Sequence, residues 1–103
     1  MSSITSKAMH EIPAVLCGIR NVALMRGFLE SILTPRELEE ICGRWELVKL
    51  LDRGISQRQI SKKLGMSLCK ITRGSRELKK RDSAFKKVLE DYMKRRSPEG
   101  GQK

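Results

Sequence analysis

Residues 56–78 read SQRQISKKLGMSLCKITRGSREL, and this stretch predicts two short helices that meet at a tight turn. Ser56 and Ser67 stand where each helix would start, and a serine hydroxyl can cap the free amides of a helix N-terminus. Gly65 lies between the helices and can adopt the left-handed backbone conformation that other residues reach only at a cost. This is the layout of a helix-turn-helix over residues 56–80, in which the second helix lies in the major groove of DNA.

Apolar residues at helical spacing predict which faces of these two helices point toward the core. Ser61 is small at the point where the helices approach each other. The residues predicted to point inward are Ile60, Leu64, Leu68, Ile71 and Leu78.

The positive charge of the chain is concentrated in the same stretch. The 103 residues include 22 lysines and arginines and 12 aspartates and glutamates, a formal net charge of +10. Residues 57–81 hold nine basic residues and one acidic residue, whereas residues 1–56 hold seven of each. Because a solvated surface normally mixes both signs, this concentration predicts a polyanionic partner, with nucleic acid before an anionic membrane. An ordinary helical hairpin with a solvated basic face is the alternative.

Several function classes find no support in the sequence. No apolar run is long enough for a membrane helix, and residues 57–81 contain no aromatic anchor for a membrane surface. Cys17, Cys42 and Cys69 form no CxxC pair and His10 is the only histidine, so neither a metal site nor a disulfide scaffold is predicted. The chain also lacks a pattern of catalytic residues, and we expect no enzyme activity.

The segments before residue 34 predict a flexible arm followed by helices. Residues 1–11 are polar and weakly periodic, which favours a loose N-terminal arm. Pro13 fits the first turn of a helix, and Gly18 and Asn21 can divide the apolar stretch that follows into two helices.

A long central helix is predicted from Pro35 to Asp52. Thr34 can cap it, and Glu37 can reach back to complete a capping box, while Gly54 ends it. The helix is apolar around most of its circumference, which is typical of a buried helix. A chain this small needs a second subunit to bury such a helix fully.

A last amphipathic helix is predicted after Ser83, followed by a disordered tail over residues 97–103. The main all-helical domain therefore spans residues 12–96, with Trp45 in its core. The residues predicted to share one apolar face of the last helix are Phe85, Val88, Leu89 and Tyr92, of which Phe85 and Tyr92 are expected in the core or in a dimer interface.

Residues 33–79 carry a set of short motifs that are specific in combination. They are Leu33-Thr34-Pro35, Arg44, Ser56-Gln57-Arg58, Leu64-Gly65 and, most specific, Ile71-Thr72-Arg73-Gly74-Ser75. With these motifs the stretch resembles the bacterial Trp repressor family. The resemblance implies an all-α, intertwined helical homodimer in the cytoplasm at the nucleoid. It also implies double-stranded DNA with a near-palindromic operator as the partner, and L-tryptophan as corepressor with no other cofactor.

The resemblance also implies which residues bind tryptophan. A planar guanidinium stacks well on an aromatic face, and Arg44 and Arg73 would sandwich the indole. The alternative for Arg44, without a ligand, is a surface ion pair with Glu40. The other implied contacts are Arg73 with Thr34 of the partner chain for the carboxylate, backbone carbonyls near Ser31 and Leu33 for the ammonium, and Gly74, which leaves room for the ring.

The chain departs from the family near the implied ligand. Glu77 stands where the family commonly has a serine, and its carboxylate could bind the ammonium. It could equally pair with Arg73 or Arg76 and close the pocket. Lys70 and Arg76 replace neutral residues on or beside the reading helix and should add phosphate contacts.

The expected mechanism is a change in the spacing of two reading helices. In a two-fold dimer these helices enter successive major grooves roughly 34 Å apart. Tryptophan bound between the central helix and the reading helix would set that distance. Arg58 suits a guanine edge, and Cys69 either faces the groove or is half-buried. The residues expected to contact DNA are Gln57, Arg58, Lys62, Leu68, Cys69, Lys70, Thr72, Arg76 and Lys79.

We therefore expect a tryptophan-responsive repressor of genes for tryptophan biosynthesis or uptake. A related helix-turn-helix regulator with a different effector, or with none, is the first alternative. A basic helical module that binds RNA, or DNA without sequence preference, is the second.

Overall fold

The computed structural model describes residues 2–96, which form helices and no strands. This confirms the all-α prediction, while the tail predicted over 97–103 lies outside the described residues. Two compact units are divided between Glu40 and Ile41. The helices are α1 (Ser3–Gly18), α2 (Val22–Ile32), α3 (Pro35–Asp52), α4 (Gln57–Leu64), α5 (Leu68–Lys79) and α6 (Ala84–Arg96).

The first unit differs from the sequence prediction at its start. The Ser2 hydroxyl accepts the Thr5 N–H at 3.1 Å and caps α1, so residues 3–11 are helical where a loose arm was expected. Pro13 lies inside α1 and not in its first turn. The serine cap supplies the helix start that we assigned to the proline, and the exposed position of Pro13 lets water reach the carbonyl that it leaves unpaired.

The predicted division after Gly18 is confirmed. Helix α1 ends at Gly18, and the Asn21 side chain accepts the Leu24 N–H at 2.9 Å to begin α2. Neither helix contains a buried residue, and the apolar side chains of Ile4 and Val22 are 81% and 85% exposed. The apolar side chains of α1 and α2 therefore form no buried core of their own.

The predicted ends of α3 are confirmed by its hydrogen bonds. The Glu37 N–H donates to Thr34 Oγ1 at 3.1 Å, and the Thr34 N–H donates to Glu37 Oε1 at 2.8 Å, which is a complete capping box. At the other end, Gly54 has a φ of +86°, and the Ile55 N–H donates to the Leu50 carbonyl at 3.1 Å. This Schellman-type ending stops the helix and turns the chain toward α4.

The core of the second unit lies among α3, α4 and α5. Its fully or nearly fully buried members are Leu47, Leu50, Ile60 and Ile71. The burial predicted for α3 is found only in its later turns, because Ile41 is 47% exposed.

Helix α6 adds an aromatic cluster to the second unit. The Trp45 ring stacks on Phe85 with centroids 6.0 Å apart, and Tyr92 meets Trp45 edge-on at 5.6 Å. Leu89 is fully buried, whereas Val88 on the same predicted apolar face is 60% exposed, so the core of this unit reaches Leu89 but not Val88. Val88 directly precedes Leu89, and successive helical positions point about 100° apart.

Candidate nucleic-acid interface

Local hydrogen bonds build α4, α5 and the turn between them. The Ser56 hydroxyl accepts the Gln59 N–H at 3.2 Å at the start of α4, and the Ser67 hydroxyl accepts the Lys70 N–H at 3.3 Å at the start of α5. Gly65 ends α4 with a φ of +65°, in the left-handed region predicted for it. The two predicted serine caps and the glycine turn are therefore confirmed.

Two buried isoleucines and one serine hold α4 and α5 together. Ile60 and Ile71 have no exposed surface, as their spacing predicted. The Ser61 hydroxyl donates to the Met66 carbonyl at 2.8 Å, directly across the turn. This bond gives the small residue at position 61 a second role, because it supplies a partner to a backbone carbonyl in the turn.

Most of the residues predicted to contact DNA are exposed. Leu68 was predicted to point inward but is 55% exposed, so the inward orientation is wrong. It is the first residue of α5, and the core that Ile71 enters does not extend to this first turn. The exposed members of the predicted set are Arg58, Lys62, Leu68, Cys69, Lys70, Arg76 and Lys79.

The basic side chains of this exposed set are not paired with acids. Ion pairs within 4.0 Å occur elsewhere in residues 2–96, but none of them includes Arg58, Lys62, Lys70, Arg76 or Lys79. Their charge is thus available to an external anion. Cys69 is exposed, which excludes the half-buried alternative for this thiol.

Gln57 and Thr72 are half-buried and contact each other. The Thr72 hydroxyl donates to Gln57 Oε1 at 3.4 Å, which joins the start of α4 to the middle of α5. The Gln57 amide nitrogen keeps its two donors for another acceptor.

A cleft beside Gln57 includes a residue that the sequence analysis missed. The cleft has a volume of about 370 Å³ and is lined by Gln57 of α4, Lys79 of α5 and Lys86 of α6, among others. Lys86 was left out because it lies outside the basic stretch 57–81. The signal that could have found it is the adjacent pair Lys86 and Lys87 at the start of the last helix.

Comparison with known proteins identifies the family. The family model described as Trp repressor protein matches residues 8–93 of this chain. The chain belongs to the Trp repressor family.

Proteins named Trp operon repressor homolog are similar to this family member. The one from Vibrio cholerae is 45% identical over 66 residues, which are 63% of this chain and 64% of that protein. The one from Xylella fastidiosa strain M23 is 37% identical over 73 residues, which are 70% of this chain and 79% of that protein. The match thus spans less than two thirds of the Vibrio cholerae relative. No solved structure matches the chain.

The Trp repressor family is one of transcription regulators, and the tryptophan contacts that it implies can be located here. Arg44 and Arg73 are both exposed, and neither takes part in an ion pair among residues 2–96. The alternative of a surface ion pair for Arg44 is therefore not observed. Their role toward an indole stays a prediction.

Gly74 packs against a side chain, and Glu77 forms an ion pair, that the sequence did not indicate. A β carbon on Gly74 would lie 2.9 Å from Leu47 Cδ2, so the chain itself uses the space beside this glycine. The Glu77 carboxylate contacts Lys80 Nζ at 3.0 Å. Of the pairings considered for Glu77, the two with Arg73 and Arg76 are thus not the ones observed.

The residues of the first unit that are implied to contact the ligand, Ser31, Leu33 and Thr34, lie at the end of α2 and the start of α3, where they form hydrogen bonds within the chain. The Ser31 hydroxyl donates to the Gly27 carbonyl at 2.9 Å, and the Leu33 N–H donates to the Leu29 carbonyl at 3.0 Å. The Thr34 hydroxyl accepts the Glu37 N–H, which leaves its proton free to donate to a carboxylate. Contact of these residues with tryptophan stays a prediction.

Two other kinds of feature are absent from the described part of the chain. Residues 2–96 contain no group of three or more histidine, cysteine, aspartate or glutamate side chains that could hold a metal ion. None of the helices in this part is both long and apolar enough to cross a membrane.

Proposed function

We propose that this protein is a tryptophan-responsive, DNA-binding transcriptional repressor that acts as a homodimer. Its operators would be near-palindromic sites at genes for tryptophan biosynthesis or uptake. The observation that carries this proposal is the unpaired basic surface of α4 and α5, two helices anchored by Ile60 and Ile71 in one buried core cluster, in a chain of the Trp repressor family. A rigid pair of helices with exposed cations suits a negatively charged duplex.

Helices α4 and α5 act in this proposal as a helix-turn-helix, with α5 as the reading helix. Arg58, exposed near the start of α4, donates to a guanine edge because its guanidinium matches the two acceptors there. The Gln57 amide, positioned by Thr72, donates to a phosphate or a nearby base. The residues that contact phosphates are Lys62, Lys70, Arg76 and Lys79, while Leu68 and Cys69 face the groove.

The first unit supports assembly of two chains. Helices α1 and α2 bury none of their residues, although the apolar side chains of Ile4, Val22 and Leu24 are more than half exposed. Apolar surface of this extent is typical of an interface. A second copy of the chain would cover it and would place two reading helices on one duplex.

Tryptophan acts in this proposal by changing the population of a DNA-binding arrangement. Arg44 and Arg73 hold the indole between their guanidinium planes, and Arg73 with Thr34 of the other chain binds the carboxylate. Backbone carbonyls near Ser31 and Leu33 bind the ammonium. The ligand then favours the arrangement in which the reading helices are roughly 34 Å apart, so it raises operator affinity.

A regulator with a different effector, or with none, is the second candidate. Glu77 supports it, because its carboxylate, which is paired with Lys80, stands where the family commonly has a neutral serine. An ion pair there changes the charge that an approaching amino acid meets. Membership of the family is compatible with both candidates, tryptophan and a different effector or none.

The test separates these candidates in two steps. A duplex is first enriched from a random pool with the full chain in the presence of about 1 mM L-tryptophan. This concentration is used because it is on the order of the Kd of a weakly bound effector. Binding to that duplex and to a scrambled one is then measured by fluorescence anisotropy with and without L-tryptophan. If the proposal is right, the protein binds the enriched duplex more tightly than the scrambled one, and tryptophan increases this difference in affinity. Preference without a tryptophan effect, together with no heat in calorimetry, would support the second candidate.

The same measurements test the remaining alternative and the assembly. Equal affinity for the enriched and scrambled duplexes would support a nonspecific nucleic-acid binder. Sedimentation velocity of the free protein is expected to give a dimer. We also place this regulator in the cytoplasm at the nucleoid, where its target DNA is found and its free thiols Cys17, Cys42 and Cys69 stay reduced.

A further inference from the structure

A second basic surface lies at the connection between the end of α5 and the start of α6. Here a cleft of about 530 Å³ is lined by side chains from the end of α5, the connecting turn and the first turns of α6. Glu90 is the acidic member of that lining. Its basic members, which we call the elbow patch, are Lys79, Lys80, Arg81, Lys86 and Lys87.

Acids near the elbow patch neutralise only part of its charge. Glu77 contacts Lys80 at 3.0 Å, and Asp82 Oδ1 lies 3.9 Å from Lys87 Nζ. In both pairs the side chains are more than a third exposed, so the attraction is screened by water. Arg81 and Lys86 take part in no ion pair among residues 2–96.

The elbow patch continues the surface that the proposed function uses. Lys79 and Lys86 line both the 530 Å³ cleft and the 370 Å³ cleft beside Gln57. The two clefts are therefore continuous through Lys79 and Lys86, from Gln57 at the start of α4 to the first turns of α6, and Asp52 is the acidic residue in the lining of the first cleft. This continuity places the elbow patch at the flank of the proposed reading helix.

The composition of the elbow patch favours one kind of ligand group. Like charges that are held together repel, so a bound anion stabilises them. Lysine presents a point charge on a flexible stem, which suits phosphate oxygens more than the donor and acceptor pattern of a base edge. The lining also has no aromatic side chain on which a base could stack.

We propose that the elbow patch binds the DNA phosphate backbone outside the half-site that α5 reads. This inference rests on the proposed function and deepens it, because it extends the contact beyond α4 and α5. Lys86 and Lys87 of α6 carry the added contact, with Lys80 and Arg81 of the turn beside them. The contact adds affinity and salt dependence to every duplex long enough to reach it, and it adds no sequence preference.

The test compares two duplexes and two charge-matched variants. One duplex ends at the outer edges of the enriched site, and the other continues for about one helical turn, roughly ten base pairs, on each side. The full-length variant K86Q/K87Q removes two exposed charges of the elbow patch. The control K7Q/K94Q removes two exposed charges from α1 and the later part of α6. Circular dichroism checks that both variants keep their helices.

The readout is the slope of log affinity against log salt concentration. Each phosphate contact contributes about 0.9 to that slope on duplex DNA, so K86Q/K87Q is expected to lose up to about 3.6 per dimer on the long duplex. On the trimmed duplex it should match the wild type, and K7Q/K94Q should match the wild type on both. An unchanged slope on the long duplex for K86Q/K87Q would overturn the inference.

Two further outcomes separate this inference from its alternatives. If the wild type does not prefer the enriched duplex to a scrambled one, the proposed function fails, whatever the variants do. Vesicles containing phosphatidylglycerol test a membrane surface as the occupant. Vesicle binding that K86Q/K87Q abolishes, together with an unchanged DNA slope, would overturn the assignment to DNA.

Discussion

The backbone of Gly74 in α5 faces the side chain of Leu47 in α3 so closely that a β carbon at position 74 would lie 2.9 Å from Leu47 Cδ2. The same carbon would lie 3.3 Å from Leu47 Cγ and 3.5 Å from Leu51 Cδ1. Leu47 is almost completely buried, so it has little space to move away. The absence of a side chain at position 74 therefore sets how closely α5 approaches α3.

Gly74→Ala should destabilise the protein through overpacking. Inserting a methyl group into a filled core costs about 1–3 kcal/mol, while the higher helix propensity of alanine returns up to about 1 kcal/mol. Gly27→Ala in α2 is the matched control, because nothing lies within 4 Å of the added carbon there. Urea unfolding should rank Gly27→Ala as the more stable variant by about 1–3 kcal/mol. Equal stability of the two would show that Leu47 can shift at no cost.

Arg58→Ala should weaken binding to the enriched duplex by about 1–3 kcal/mol and relax its preference at one base pair, because a paired donor to a guanine is lost. Lys62→Ala in the same helix serves as comparison, since a lost phosphate contact weakens binding to all duplexes alike. Anisotropy with single-base variants of the duplex measures both effects. An unchanged base preference for Arg58→Ala would remove its reading role.

Arg73→Leu should abolish the response to tryptophan while the dimer stays intact. The side chain is exposed, so its replacement leaves no buried cavity, but the indole loses one stacking face and the carboxylate one donor. Arg76→Leu, also exposed and in the same helix, should keep tryptophan binding. Calorimetry with L-tryptophan and sedimentation velocity report the two properties separately. A wild-type tryptophan affinity for Arg73→Leu would contradict the assigned pocket.

Glu77→Ser tests both candidates: if tryptophan is the effector and Glu77 accepts its ammonium, the variant should bind tryptophan more weakly. The Glu77–Lys80 pair is largely exposed and is worth no more than about 1 kcal/mol, so stability should change little. Lys80→Gln breaks the same pair but keeps the carboxylate, and it should retain tryptophan binding. Calorimetry that finds Glu77→Ser equal to the wild type would mean that Glu77 points away from the ligand.

The features that the sequence predicted well are those decided by a few neighbouring residues. Thr34 with Glu37, Ser67, Gly54 and Gly65 each form the cap or turn that their residue type favours. A cap depends on backbone amides two or three positions away, so no distant part of the chain has to be known. The fold class and the α4–turn–α5 layout followed from these local signals.

The sequence is less informative about burial, because packing decides it. Leu68 and Val88 are apolar and in helical register with buried residues, yet both are more than half exposed. Spacing indicates that a face is apolar, but it does not indicate how far the core extends along it. The Gly74–Leu47 approach and the place of Lys86 beside Lys79 depend on two helices meeting, and the sequence of either helix alone does not contain that information.

The hydrogen bond from Ser61 to the Met66 carbonyl ties the end of α4 to the loop that precedes α5. Together with Ile60 and Ile71, which lie in one buried core cluster, it joins these two helices into one structural unit. Any change in the position of this unit relative to α3 or α6 would have to occur in the short connections on either side, at residues 53–56 and 80–83. Under the proposed function, substitutions among the outward side chains of this unit would change the operator that it binds and leave these connections unaltered.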